Sequence, residues 1–304
     1  MRNMLARAGW LAILVLAVVL AGCGKNTGSS QGGRIQVVAA ESFWGSIASQ
    51  LGGSRVSVKS IVSNPATDPH DYEPTAGDGR LFATSRIAVV NGAGYDPWAS
   101  KLLAASPASG RTVIDVGKLV GVHAGGNPHL WYSPAYVDRV IARISAAYVQ
   151  ADPAHATSFI ELRRRFENRS LRDYRRLVAA IRTRYGGTPV GASESIFAYL
   201  ANALGLRLET PQRFLDAISE GTDPTASDKR TVDAQIASRA IKVWVYNSQN
   251  ATPDVRRLTA AARRAGIPVV TITETPLPAT ASFQAWQTRQ LEALRAALGR
   301  ATGQ

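Results

Sequence analysis

The chain reads as an α/β protein of two lobes, each a mostly parallel sheet flanked by helices, joined by one long spanning helix. Three observations carry that reading. Short β-branched runs alternate with helical patterns in the first half and again in the second, the order expected of parallel βα units. Between the halves the pattern turns purely helical. The polar loops that carry histidines and carboxylates follow strands, and open α/β sheets bind their ligands beyond the carboxyl ends of strands.

In chain order, residues 35–40 predict a first strand and Ser42 to Leu51 an amphipathic helix. Further strands are expected over Val56 to Val62, Ile87 to Val90 and Thr112 to Val116, with helices near Leu81 to Thr84 and Trp98 to Ala105. The helical middle opens with Pro134 to Ala151. A second helix runs from about Pro153 to Arg184, entered through Asp152-Pro153, an N-cap residue followed by a proline that suits the first turn. Phe159, Leu162, Phe166, Ser170, Tyr174, Leu177 and Ile181 recur at three and four and predict one buried stripe on a charged rod. At 1.5 Å per residue such a helix spans roughly 45 Å, enough to cross both lobes, and Gly186-Gly187 ends it. Alternation then resumes. Strands are expected at 189–192, 206–208, 241–245 and 268–273, and helices at 196–204, 225–240, 253–265 and 282–298. The resulting division is a lobe at 34–151, a connecting helix at 152–185 and a second lobe at 186–304.

The amino terminus sets the compartment. Arg2 and Arg7 precede an apolar run from Leu11 to Ala21, too short for a comfortable membrane span, and Leu20-Ala21-Gly22-Cys23 follows. This resembles a bacterial lipoprotein signal over residues 1–22, cleaved before Cys23, which then carries lipid. The protein is therefore expected in the cell envelope, extracytoplasmic and lipid-anchored to the membrane through Cys23. Residues 23–33 are rich in Gly and Ser and read as a flexible tether. Cys23 is the only cysteine, which excludes an intrachain disulfide and a structural thiolate site. About 270 residues remain, sufficient for two lobes with a core each. Hydrophobic residues make up 45% and charged residues 19%, which excludes disorder. The formal charge is +13, and +11 without Arg2 and Arg7. The basic residues are scattered along helices and are not interleaved with aromatics, so they point to an anionic envelope surface and away from nucleic acid.

The chemistry concentrates in a few loops. Asp68-Pro69-His70-Asp71-Tyr72-Glu73-Pro74-Thr75 follows the second strand. Pro69 fixes its own φ and biases Asp68 toward extended geometry, so His70 is expected on a stiff loop, a good setting for a metal ligand. Only four histidines exist in the chain, and Pro128-His129 repeats the pairing of Pro69-His70. His123, between flexible glycines, reads as a solvated residue, and His155 as structural or exposed. In the second half Glu194 stands at the end of a strand and the mouth of a helix, where the helix dipole favours negative charge. Glu274 directly follows the last strand. Alone, each would be an ordinary helix-terminal or loop acid. Together the two histidines and two carboxylates are placed to converge in one cleft.

The lipobox, the 68–75 loop, Asn91-Gly92-Ala93-Gly94-Tyr95-Asp96-Pro97-Trp98, Pro128-His129-Leu130-Trp131-Tyr132-Ser133-Pro134, and Ser193-Glu194 ahead of Phe197-Ala198-Tyr199-Leu200 together resemble the zinc/manganese-binding lipoproteins of bacterial ABC importers. The resemblance runs in order along essentially the whole mature chain. It implies two α/β lobes on a single rigid helix and a metal held by two residues from each lobe. His70 and His129 match the first-lobe histidines. Glu194 stands where zinc-specific members usually carry histidine and some manganese transporters carry glutamate. Glu274 stands where aspartate is usual. Asn247 occupies a position often held by glutamate and is not expected as a ligand. The His/Asp-rich loop of many zinc-specific members is absent.

Two imidazoles and two carboxylates form a borderline-to-hard site. It suits Zn²⁺ if each carboxylate binds through one oxygen and Mn²⁺ if coordination rises. Asp71 and Ser193 are candidates for fixing the imidazole tautomers. The expected role is capture of one divalent ion and delivery to a membrane ABC permease by a monomer, with no catalysis. The rivals are an envelope metalloenzyme on the same four residues and a receptor for an organic ligand such as a siderophore. An enzyme needs an open metal position and a general base, and the chain carries no HExxH motif.

Overall fold

A computed structural model describes residues 33–67, Pro69 and 72–304. Cys23 and the leader, residues 24–32 of the tether, and Asp68, His70 and Asp71 lie outside the described residues. The first half runs β1 (Ile35–Glu41), α1 (Ser42–Gly52), β2 (Val56–Val62), α2 (Ala76–Thr84), β3 (Ile87–Val90), α3 (Pro97–Ala105), β4 (Thr112–Asp115) and α4 (Val116–Val120). Its four strands pair in parallel in the order β2-β1-β3-β4, with Val37 between Val58 and Ile87. Three helices follow: α5 (Pro134–Ala151), α6 (Ala156–Arg165) and α7 (Arg172–Tyr185). The second half runs β5 (Pro189–Ala192), α8 (Ala198–Ala203), β6 (Arg207–Leu208), α9 (Gln212–Ser219), α10 (Ala226–Ala237), β7 (Val243–Asn247), α11 (Pro253–Arg264), β8 (Val269–Ile272) and α12 (Phe283–Thr302). Its sheet, β6-β5-β7-β8, is again parallel and repeats the strand order of the first.

Helix starts follow local capping chemistry. The Thr75 hydroxyl accepts from the Asp78 amide while Asp78 accepts from the Thr75 amide, a reciprocal box that opens α2. This start lies five residues before the one the apolar pattern suggested. Ser133, Thr252 and Ser282 each accept an amide hydrogen bond ahead of α5, α11 and α12. Helices α4 and α9 were not expected. The first is five residues long, and the second follows Pro211, which offers no side-chain cap.

From Pro153 to Tyr185 the connecting segment is helical almost throughout, widened to π geometry over Phe166–Ser170. The i→i+5 turn adds one residue, so the stripe expected through Ser170 passes instead through Leu171, which is fully buried. Beyond it Tyr174, Leu177 and Ile181 stay on the inner face, and α12 packs along α7.

Length alone allowed each lobe its own core. The largest apolar cluster instead runs continuously from Val37 and Val89 in the first sheet, through Phe43, Trp131 and Trp286, to Val190 and Val245 in the second. Smaller clusters lie around Phe82 and around Trp244. Apolar periodicity reports which face of an element is buried, but not against what.

At the end of β1, Glu41 is fully buried with the Asp96 carboxyl as its partner, and among the described residues no N–H or hydroxyl of another residue donates to its oxygens. Burial, and then the neighbouring Asp96 charge, push its pKa well above the ordinary carboxyl value of 4.5. Burial also raises Asp96, but less far, because the hydrogen bond with Glu41 opposes the rise first and the amides of Gly92 and Asn91, donating at 2.8 and 2.7 Å, oppose it further. The proton therefore resides on Glu41. A raised folded-state pKa stabilises fully below about pH 4.5, and that contribution declines as the unfolded chain ionises at higher pH. We expect Glu41→Gln to gain thermal stability relative to the native chain progressively from pH 5 to pH 8. Parallel melting-temperature curves across that range would contradict the assignment.

Candidate metal centre

His129 follows a glycine-rich loop and precedes a single 3₁₀ turn, Leu130–Tyr132. Asn127, two residues earlier, accepts through Oδ1 from the His129 amide at 3.1 Å and pairs with the ring Nδ1 at 2.8 Å. An Asn oxygen only accepts, so Nδ1 carries the hydrogen and the lone pair falls on Nε2. Asn127 is held across the two halves by Nδ2 donation to the Ser195 carbonyl at 2.7 Å. The ring is buried edge-on against Trp131, with centroids 5.4 Å apart.

Glu194 stands two residues beyond the end of β5 in extended geometry and makes no side-chain cap for the turn after it. Its carboxylate is held by two amides: Asn247 Nδ2 donates to Oε1 and Asn250 Nδ2 to Oε2, both at 2.6 Å. Glu274 follows β8, and the same Asn247 Nδ2 donates to its Oε1 at 2.7 Å, while the Tyr95 hydroxyl donates to Oε2 at 3.1 Å. Asn247 Oδ1 accepts from the Gln249 amide, which confirms which end of the side chain faces the carboxylates. Its own amide is fixed by Ser193 Oγ at 3.1 Å. Ser193 thus positions Asn247, whereas an imidazole had been its expected partner; the tautomer role falls to Asn127.

Tyr95 reaches the second half from a turn in which Gly92, Ala93 and Gly94 all have positive φ. A Cβ at Gly92 would lie 2.2 Å from Asp115 Oδ1, so only glycine fits there. The flanks of His70 are also anchored. Trp98 Nε1 donates to the Pro69 carbonyl at 3.2 Å, and its ring meets Tyr72 edge-on. The Tyr72 hydroxyl donates to Asp78 at 2.9 Å; burial and that bond push its pKa up to about 12. His123 is exposed, and His155 pairs with Asp152 at 2.7 Å.

His129, Glu194 and Glu274 are 1%, 1% and 7% exposed, and one donor atom from each lies within 4.8 Å of the others. Tetrahedral ligands with bonds of 2.0–2.1 Å stand roughly 3.3–3.5 Å apart, so a modest contraction would close these three on an ion. Every carboxylate oxygen accepts a hydrogen bond, and each of these donors is neutral. Two buried acids held by neutral donors, next to an oriented imidazole, favour a cation. Asn127, Asn250 and Tyr95 were not anticipated as site residues, and Asn247 was weighed only as a ligand position, without its role as donor to the two carboxylates. Only Asn127 left a local trace, as an Asx-turn residue ahead of Pro128-His129.

The fold is that of known periplasmic metal-binding proteins. The chain superposes on the Mn-bound periplasmic metal binding protein from Candidatus Liberibacter asiaticus with a TM-score of 0.71, covering 86% of this chain and 98% of that one at 18% identity. For the periplasmic zinc binding protein TroA from Treponema pallidum the TM-score is 0.71, with coverage of 88% and 99% at 19% identity. Among relatives in sequence, the manganese-binding lipoprotein MntA of Halalkalibacterium halodurans is 29% identical over 155 residues, 49% of this chain and 51% of that protein. The match thus spans about half of that relative's length. MntA of Bacillus subtilis is 23% identical over 268 residues, 84% of this chain and 85% of that protein. Residues 37–297 match the family described as ZnuA, zinc-uptake complex component A, periplasmic, and the chain belongs to that family.

Proposed function

We propose that the protein is an extracytoplasmic solute-binding lipoprotein that captures one divalent transition metal, Zn²⁺ or Mn²⁺, and delivers it to a membrane ABC permease. The observation that carries this reading is the buried convergence of His129, Glu194 and Glu274 under neutral donors. His70 is the fourth ligand of the proposal. In its favour, Pro69 lines a cavity of about 270 Å³ together with Glu274, and residues on both sides of His70 are tied to Trp98. Attachment through Cys23 and a monomeric state complete the proposal. The long helix and the shared core favour small closing motions.

Relatives are named for zinc and for manganese, and the donor set suits both. An ion bound through one oxygen of each carboxylate would leave the other oxygens on their Asn and Tyr donors; a larger coordination number would recruit them. Elemental analysis of purified protein should find one tightly held divalent ion and no hydrolytic turnover. Competition between Zn²⁺ and Mn²⁺ for metal-stripped protein, with ligand counting in the bound state, then assigns the preferred ion. His70→Ala should weaken binding at least about tenfold, a loss of roughly 1.4 kcal/mol. Unchanged affinity by calorimetry would remove His70 from the site.

A further inference from the structure

The second half carries another concave site at the opposite end of its sheet. Glu194, Asn247 and Glu274 all lie at carboxyl ends of strands, whereas a cavity of about 520 Å³ opens at the amino ends of β7 and β8. Arg239, Lys242, Arg263 and Arg300 line it, and no carboxylate does. They come from four places: the end of α10, the entry to β7, the last turn of α11 and the last turn of α12. Among the described residues none of the four forms an ion pair or a side-chain hydrogen bond, in contrast to Arg163, Arg164, Arg175 and Arg257, which all do.

Helix dipoles offer a competing explanation, because α10, α11 and α12 all end here and C-termini favour cations. Each helix end carries about half a negative charge, so four full cations leave a surplus of roughly two and a half positive charges. The backbone of Arg239 supplies an independent observation. It is the left-handed residue of a Schellman ending, with φ of 55°, its amide bonded to the Ile236 carbonyl and that of Ala240 to Gln235. The equivalent residues closing α8, α9 and α11 are Gly205, Gly221 and Gly266. Here a side chain stands in a conformation that disfavours Cβ, and it brings a guanidinium nitrogen to 3.8 Å from the Cβ position of Gly266.

We propose that this cavity binds a phosphate-bearing anion. Guanidinium groups match phosphate oxygens in a fork, and three arginines with a lysine on converging elements suit an anionic phosphate group, free or as the diester of a lipid headgroup.

The test uses the metal-loaded full chain in nonionic detergent, titrated calorimetrically with inorganic pyrophosphate and separately with glycerophosphoglycerol, a soluble headgroup. Saturable binding of pyrophosphate marks a free-phosphate site, and preference for the diester marks a headgroup site; either supports the proposal. Arg239→Gln with Arg263→Gln should weaken the bound anion by at least about tenfold. Arg172→Gln with Arg176→Gln removes equal charge from α7 and should leave the affinity within about twofold. Arg239→Gly keeps the left-handed turn comfortable, so its loss of binding cannot be ascribed to misfolding. Absence of saturable binding to both anions, or equal weakening in the two double variants, overturns the proposal.

Discussion

Asn247→Asp should lower the melting temperature of the metal-stripped protein by on the order of 10 °C and lower that of the loaded protein much less. One amide nitrogen now reaches the carboxylates of Glu194 and Glu274 at 2.6 and 2.7 Å from a fully buried position. Aspartate is nearly isosteric but replaces that donor with an acceptor. Three acids would then face one another at hydrogen-bond distance. Leaving a buried charge uncompensated costs about 3–5 kcal/mol. In a chain of this size that corresponds to roughly 2–4 °C per kcal/mol. A bound divalent cation restores the balance, so metal should stabilise the variant far more than the native chain. The variant can also relieve repulsion by taking up a proton, which metal must then displace, so its affinity should climb more steeply with pH. Equal melting temperatures for the two stripped proteins would refute the clamp.

The second large effect is on binding itself. His129→Ala should weaken metal affinity by at least about 100-fold, beyond the roughly 10–100-fold usual for partners that only orient a ligand. The substitution removes the Nε2 lone pair that Asn127 holds in place and leaves the proposed ligand His70 and two acids to retain the ion. His123→Ala is the matched control, because His123 is exposed on the same loop and should bind metal as the native chain does. Calorimetry on stripped protein measures both. Comparable affinities in the two variants would exclude His129 as a ligand.

The strand-helix alternation was legible because βα units write their period locally. Val56 to Val62 and Pro134 to Ala151 have the limits expected of them, the latter set by the Ser133 cap. The connecting helix was legible as a length and a stripe, but its π turn was not, since one residue of slip from Ser170 to Leu171 leaves nearly the same apolar pattern. The site divides in the same way. Glu194 and Glu274 could be placed from their positions after strands, and His129 from its Pro-His pairing, although α4 stands between β4 and its loop. Asn247 and Tyr95 could not, because their bonds join residues 27 to 179 positions apart in sequence and exist only once both sheets have formed. His70 lies outside the described residues, so the loop with the strongest sequence signature still rests on its chemistry and its anchored flanks.

The edge-on contact between Trp131 and His129 makes the protein its own indicator. Trp131 also stacks on Phe43, with centroids 4.1 Å apart, in a wall that excludes water. Its emission should therefore respond to the charge and spin state of whatever the imidazole holds. Paramagnetic Mn²⁺ should quench it, while closed-shell Zn²⁺ should mainly shift it. Filling and emptying of the cleft could then be followed in real time, during handover to a transporter, with no dye attached.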